Sequence, residues 1–320
     1  MSDRVTILYI GGLGRSGSTI LAQVLGRIPG FVNVGELWQI WDRGLRDNEL
    51  CGCGQPCWSC GFWNAVGEEA FGGWNNVDVD KLSAYKPLLK RYRYIPIYAL
   101  MAKTGIRSQR MDALLEEYGP VLERLYRAIQ SVSGARVIVD SSKSLPYAFF
   151  LDMLPFADLR MMYLVRDSRA VAYSWSKEKV RPEVVGQRTL MRQRSAANVS
   201  RVWTIGNYSS YGFLSRFPHT RLRYEDFAED PAFYVRRTLT RLGVEGEAGS
   251  LRSLDRRRIS LTVDHTVSGN PGRFRTGTVE LRPDHEWKEK MGAADRHIVS
   301  ALTAPLLLKY GYLGRGKKAG

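Results

Sequence analysis

The chain has 320 residues, 44% of them hydrophobic, and a formal net charge of +15 from 47 Lys and Arg against 32 Asp and Glu. No Pro/Ser-rich linker, repeat or low-complexity tract divides it, so a single domain over residues 1–320 is the expectation. No run approaches the ~20 apolar residues of a membrane span. The spread of basic residues suits an anionic ligand, and the signatures of zinc-finger, helix-turn-helix and RNA-binding modules are absent, which argues against nucleic acid.

Residues 5–10 are an apolar, β-branched run, and GGLGRSGST follows at positions 11–19. No basic segment with a long apolar run comes before this strand, so a cytoplasmic location is expected. Gly12, four residues and Gly17 satisfy the first part of the nucleotide P-loop pattern, but position 18, where that pattern has Lys, is Ser. Ile20, Leu21, Val24, Leu25 and Ile28 then repeat at helical spacing. Strand, glycine-rich turn and helix in this order aim backbone N–H groups at an anion. In a P-loop kinase the lysine bridges the β- and γ-phosphates beside Mg²⁺. Here the only cation in the turn is Arg15, with Ser16, Ser18 and Thr19 as hydroxyl donors, an arrangement suited to a weakly charged, monoester-like anion held without metal. Gly14 and Gly17 allow close backbone approach.

Val32 and Val34 mark a short strand over residues 32–35 that ends at Gly35-Glu36. All four cysteines follow within ten residues: Cys51, Cys53, Cys57 and Cys60. The spacing CxC-x3-CxxC suits one structural zinc ion, two disulfides in an oxidising setting or reduced structural thiols. Residues 81–103 interleave Tyr85, Tyr94 and Tyr98 with Lys86 and Lys90, and Pro96 breaks or kinks any helix there. Such a stretch packs on a core, lines an acceptor cleft or touches a membrane surface. Leu114, Leu115, Tyr118, Val121, Leu122, Leu125 and Ile129 give a second helix over 109–131. Together these segments form a helical, cysteine-containing insertion at about 45–131.

Asp140-Ser141-Ser142-Lys143 follows a strand over 136–139. A further strand over 159–165 leads into Arg166 and Asp167, and Ala170, Val171, Ala172 and Trp175 indicate a helix that carries Ser174. A strand over 219–224 overlaps the segment LRYEDF. Near the C-terminus, His265 to Arg275 is a turn-rich basic stretch in which Gly269-Asn270-Pro271-Gly272 cannot continue a helix. The pattern predicts an α/β fold with a P-loop-like, mainly parallel central sheet flanked by helices. Ligands of such sheets sit at the carboxyl ends of the strands.

The turn GRSGST, the segment YLVRDSRAVAYSWSK and LRYEDF together resemble the sulfotransferases that use 3′-phosphoadenosine-5′-phosphosulfate (PAPS). The resemblance spans most of the chain, and RSGST is similar to the carbohydrate and tyrosylprotein branches. It implies that residues 14–19 grip the 5′-phosphosulfate and that Arg166 and Ser174 grip the 3′-phosphate. It further implies that a late loop with Asn270, Arg273 and Arg275 closes over that phosphate. Glu36 matches the family's general base, which takes the acceptor hydroxyl's proton; a helix-start carboxylate is the alternative. His265 is the next candidate for the base. Arg15 and Lys143 would steady charge on the sulfuryl group and the leaving group, and Ser142 or Lys143 would otherwise contact phosphate or cap the next helix. The implied partner is a hydroxyl-bearing sugar, lipid, phenol or peptide. A small-metabolite kinase and a non-catalytic nucleotide-binding module are the other readings.

Overall fold

The computed structural model describes residues 4–90, 94–184, 186, 188–244 and 257–313. Residues 91–93 of the aromatic-basic stretch lie outside the described residues.

Five strands, β1 (Val5–Gly12), β2 (Phe31–Gly35), β3 (Val137–Lys143), β4 (Ala157–Val165) and β5 (His219–Arg223), form one sheet in the order β2-β3-β1-β4-β5. Every pairing in it is parallel. Both faces are covered, as a parallel sheet requires. In β1, Ile7 and Tyr9 point into one apolar layer and Leu8 and Ile10 into the other, the period of two that a strand imposes. The first layer is closed by helices Leu145–Asp152, Ser168–Ser176, Ala196–Leu214 and Ala293–Lys309, the second by Ser18–Leu25 and Pro231–Leu242. From β1 the chain runs to β2 and β3 on one side, then crosses to β4 and β5 on the other. The carboxyl end of β1 is therefore a topological switch point.

Several strand ends depart from the sequence expectation, and β1 runs on through Gly11 and Gly12. The strand expected at 136–139 continues to Lys143, where it pairs with Gly11 across a bulge. Polar residues extend it because they satisfy one another: Asp140 accepts from the Ser142 N–H at 2.8 Å and from the Tyr126 hydroxyl at 2.6 Å. The strand expected at 219–224 stops at Arg223, since Tyr224 opens the helix Tyr224–Glu229. A separate antiparallel pair, β6 (Arg258–Leu261) and β7 (Gly277–Glu280), was not indicated by the apolar pattern.

Between β2 and β3 lie a wide turn over Ile40–Arg46 and helices Gly61–Phe71, Val79–Ala84, Lys86–Lys90, Ile95–Thr104 and Gln109–Ser133. Pro96 sits in the first turn of its helix, where no N–H is needed. Ser108 caps the long helix by accepting from the Met111 N–H. Buried indoles tie the insertion to the sheet layer: Trp41 Nε1 donates to the Tyr118 hydroxyl at 2.7 Å, and Tyr118 stacks on Phe150 at 5.9 Å. Leu89, Ile95 and Tyr98 face inward, whereas Ile97, Leu100 and Ile106 are exposed. Among the described residues no helix is long and apolar enough to cross a membrane.

Candidate active site

Three residues of the glycine turn take positive φ: Gly12, Arg15 at 71 and Gly17. Gly12 has φ +128 and lies so close to the Leu164 carbonyl that a Cβ would overlap it. Gly17 has φ +93, and a Cβ there would overlap the Tyr224 ring. Gly17 also starts the helix Ser18–Leu25 with no side-chain cap, which leaves first-turn N–H groups available. Gly14, Arg15, Gly17, Ser18 and Thr19 line a cavity of about 790 Å³ at the carboxyl edge of the sheet.

Every strand of the sheet sends a group to this cavity. The turn follows β1, Glu36 follows β2, Lys143 ends β3, Arg166 follows β4 and Tyr224 follows β5. Arg166 is anchored on three sides. It donates from Nη1 to the Arg15 carbonyl at 2.8 Å, pairs with Asp284, and lies over the Tyr224 ring at 4.6 Å. Asp167 caps the next helix by accepting from the Arg169 N–H at 2.9 Å, and Ser174 on that helix lines the same cavity as Arg166.

The cavity is electropositive. Burial lowers the Arg15 guanidinium from its ordinary value, with Glu36 opposing. Lys179 is lowered by burial and then by Arg15, Lys177, Arg166 and Arg275 around it. Among the described residues, Arg15 Nη1 and Arg166 Nε are buried without a hydrogen-bond partner. Unspent buried donors of this kind favour an anionic ligand.

Glu36 and Lys143 form an ion pair at 2.6 Å, with side chains 16% and 15% exposed. Glu36 stands at the start of a short turn, Leu37–Gln39, but its side chain makes no cap there. Lys143 takes φ 65 and also donates to the Ser141 carbonyl at 3.0 Å. The Glu36 N–H donates to the Val267 carbonyl at 2.8 Å, and the late loop passes over the carboxylate at Gly269. A second cavity of about 300 Å³ shares Gly14, Glu36, Lys143 and Trp175 with the first and adds Trp38, Lys90, Arg194 and Trp203. The ion pair thus stands on the seam between two cavities.

A solved structure shares this architecture. The sulfotransferase domain from the Synechococcus PCC 7002 olefin synthase aligns with a TM-score of 0.51 at 17% identity, over 95% of this chain and 94% of that one. The chain has a sulfotransferase fold. The sulfotransferase domain from the curacin biosynthetic pathway aligns with a TM-score of 0.49 at 18% identity, covering 94% of this chain and 98% of that one. STF9 from Mycobacterium avium aligns at 0.45 and 13%, over 97% of this chain and 78% of that one. No family model matches the chain, and no curated protein matches it.

Within this sulfotransferase fold some expected residues sit elsewhere. Arg273 is 2% exposed and does not line the cavity. Its Nη1 and Nη2 donate to the Thr266 and Leu50 carbonyls, each at 2.6 Å. The short turn Pro271–Phe274 directs it inward, and Arg275 takes the cavity position beside Asn270. Ser16 is buried and outside the lining; its N–H closes the turn onto the Leu13 carbonyl at 3.2 Å. Ser142 lines the second cavity, but its hydroxyl bonds Asp140 and accepts from the Trp38 N–H, whereas Lys143 reaches both cavities.

All four cysteines are free thiols, so neither disulfide forms. Cys57 also departs from the expected four-cysteine set. The sulfurs of Cys51, Cys53 and Cys60 gather with His265, all within 4.8 Å, and Cys57 packs near Gly44 instead. His265 is drawn into that cluster and does not line the cavity.

The sequence reading gave no role to Trp175 or Tyr224. Trp175 lies between Arg15 at 5.1 Å and Arg194 at 4.7 Å and donates to the Gly14 carbonyl at 3.3 Å. Both aromatics fall in the quoted motifs, one beside Ser174 and the other inside LRYEDF, and that adjacency was the available signal.

Proposed function

We propose that this protein transfers the sulfuryl group of PAPS to an acceptor hydroxyl and releases adenosine 3′,5′-bisphosphate. The observation that carries the reading is one electropositive cavity joining the glycine turn to Arg166 and Ser174, with the Glu36–Lys143 pair where it meets a second cavity. In this proposal Gly14, Arg15, Gly17, Ser18 and Thr19 hold the 5′-phosphosulfate, and Arg166, Ser174, Asn270 and Arg275 hold the 3′-phosphate. The acceptor enters the second cavity, whose Trp38, Trp175 and Trp203 suit the flat face of a phenol or sugar ring.

The acceptor oxygen attacks sulfur, and its proton passes to Glu36. The bond from sulfur to the bridging oxygen breaks, and Lys143 and Arg15 stabilise the charge left there. Glu36 and Lys143 part as the acceptor and donor each take one of them. A cytoplasmic setting belongs to the same proposal. Kinase chemistry is disfavoured because Ser18 replaces the lysine that would bridge a triphosphate.

The test is incubation of cell extract with sulfur-labelled PAPS and either wild type or Glu36→Gln. Wild type should label an acceptor. Glu36→Gln should bind adenosine 3′,5′-bisphosphate normally and turn over ~10²–10⁴-fold more slowly, the range for loss of a general base. Transfer of phosphate from ATP, with no transfer from PAPS, would overturn the reading in favour of a kinase. Nucleotide binding with neither transfer would leave a binding module.

A further inference from the structure

We propose that Cys51, Cys53, Cys60 and His265 form a structural zinc site that latches the late loop against the cysteine-rich turn. The inference stands apart from the sulfuryl-transfer reading. Sequence spacing groups the four cysteines, but the fold replaces Cys57 with a histidine from the other end of the chain.

The distances have the size zinc requires. Bonds of ~2.3 Å to sulfur and ~2.0–2.1 Å to nitrogen in a tetrahedron put neighbouring sulfurs ~3.8 Å apart and sulfur ~3.5 Å from nitrogen. Cys60 Sγ lies 3.7 Å from both Cys51 Sγ and Cys53 Sγ. His265 Nδ1 lies 3.3 Å from Cys60 Sγ and 3.9 Å from Cys51 Sγ. A disulfide would need sulfurs at ~2.05 Å. Three sulfurs and one imidazole nitrogen make the Cys₃His set of closed structural sites.

The surroundings fit as well. The His265 ring is held flat against Phe62, 5.0 Å between centroids and 16° between planes. This stacking fixes the plane of the ring that carries the nitrogen ligand. Three thiolates, a neutral imidazole and Zn²⁺ leave one negative charge. The buried Arg273 guanidinium spans the two ligand-bearing segments, bonding the carbonyl of Leu50, just before Cys51, and that of Thr266, just after His265. It places positive charge near Cys51, with Glu183 and Glu49 also in its electrostatic surroundings.

The latch reaches the site through two residues of chain. Val267 donates its N–H to the Val34 carbonyl at 2.9 Å and accepts from the Glu36 N–H at 2.8 Å. Gly269 then roofs the Glu36 carboxylate. Fixing His265 therefore fixes the loop that covers Glu36.

Metal content of the reduced protein, produced in zinc-supplemented medium, tests the assignment. About one zinc per chain is expected in wild type and in Cys57→Ser, and near none in Cys53→Ser or His265→Ala. Exchange into Co²⁺ should give the d–d bands of a tetrahedral thiolate site in wild type and Cys57→Ser. Wild type that takes up neither metal, or a Cys57→Ser protein as metal-free as Cys53→Ser, would overturn the site. If the ligand variants do not fold, wild type still decides. Removing its zinc with an organomercurial should speed amide exchange over 264–270 by ~10-fold or more while leaving β1 unchanged. Unchanged exchange over 264–270 would overturn the latch.

Discussion

Arg166→Ala should erase most of the protein's preference for adenosine 3′,5′-bisphosphate over AMP. Arg166 is 7% exposed, and its Nε is a buried donor without a partner among the described residues. A 3′-phosphate at the cavity face of this guanidinium would take a charge-assisted bond from it. Gaining a hydrogen bond from a charged, buried donor is worth ~1.5–3 kcal/mol, which corresponds to roughly 10- to 150-fold in affinity. The substitution also frees the Arg15 carbonyl and loosens the glycine turn. Both nucleotides carry a 5′-phosphate and use that turn, so this damage weakens both and cancels in their ratio. Isothermal titration of both nucleotides against wild type and variant, at one salt concentration, gives the ratio directly. A wild-type ratio near unity, or a ratio that survives in Arg166→Ala, would refute the assignment of Arg166 to the 3′-phosphate.

Two further outcomes follow from local geometry. Gly17→Ala places a Cβ in the Tyr224 ring at a φ that costs ~1–2 kcal/mol for an L-residue. Affinity for adenosine 3′,5′-bisphosphate should fall at least ~10-fold, and wild-type affinity by titration would contradict this account of the turn. Burial pushes the Asp140 carboxyl up to about 6, with bonds from Ser142 and Tyr126 opposing; in an unfolded chain it titrates near ~3.9. The folded chain therefore holds this proton more tightly. The associated stability is present below pH ~4 and lost as pH rises through ~6. Asp140→Asn cannot ionise, so urea unfolding should show it gaining ~2–3 kcal/mol on wild type between pH 4 and 7. A difference that stays flat across that window would show that Asp140 does not titrate as its burial implies.

Much of the framework is legible in the amino-acid sequence because it depends on neighbours. The glycine turn needs only Gly12 and Gly17 at a fixed spacing between an apolar run and a helical one. The five central strands follow from short apolar runs, and in a parallel sheet their carboxyl ends must share an edge. That is enough to bring Glu36, Lys143 and Arg166 to one cavity without knowing a single contact. Where the sequence reading failed, the deciding interaction came from a distant segment. Arg273 and Arg275 are alike in type and two residues apart, but only the carbonyls of Leu50 and Thr266 determine which one turns inward. The strand through Lys143 is invisible to an apolar pattern because Tyr126, on another element, helps satisfy its buried Asp140. Cys57 and His265 exchange places for the same reason. Spacing along the chain groups the cysteines, but a tetrahedral set needs side chains that converge in space, and the backbone pairing of Val267 with β2 is what carries His265 to Cys60. Local chemistry therefore settled the glycine turn and the presence of the central strands, while tertiary packing set where the strands end and which side chains at those ends face the cavity.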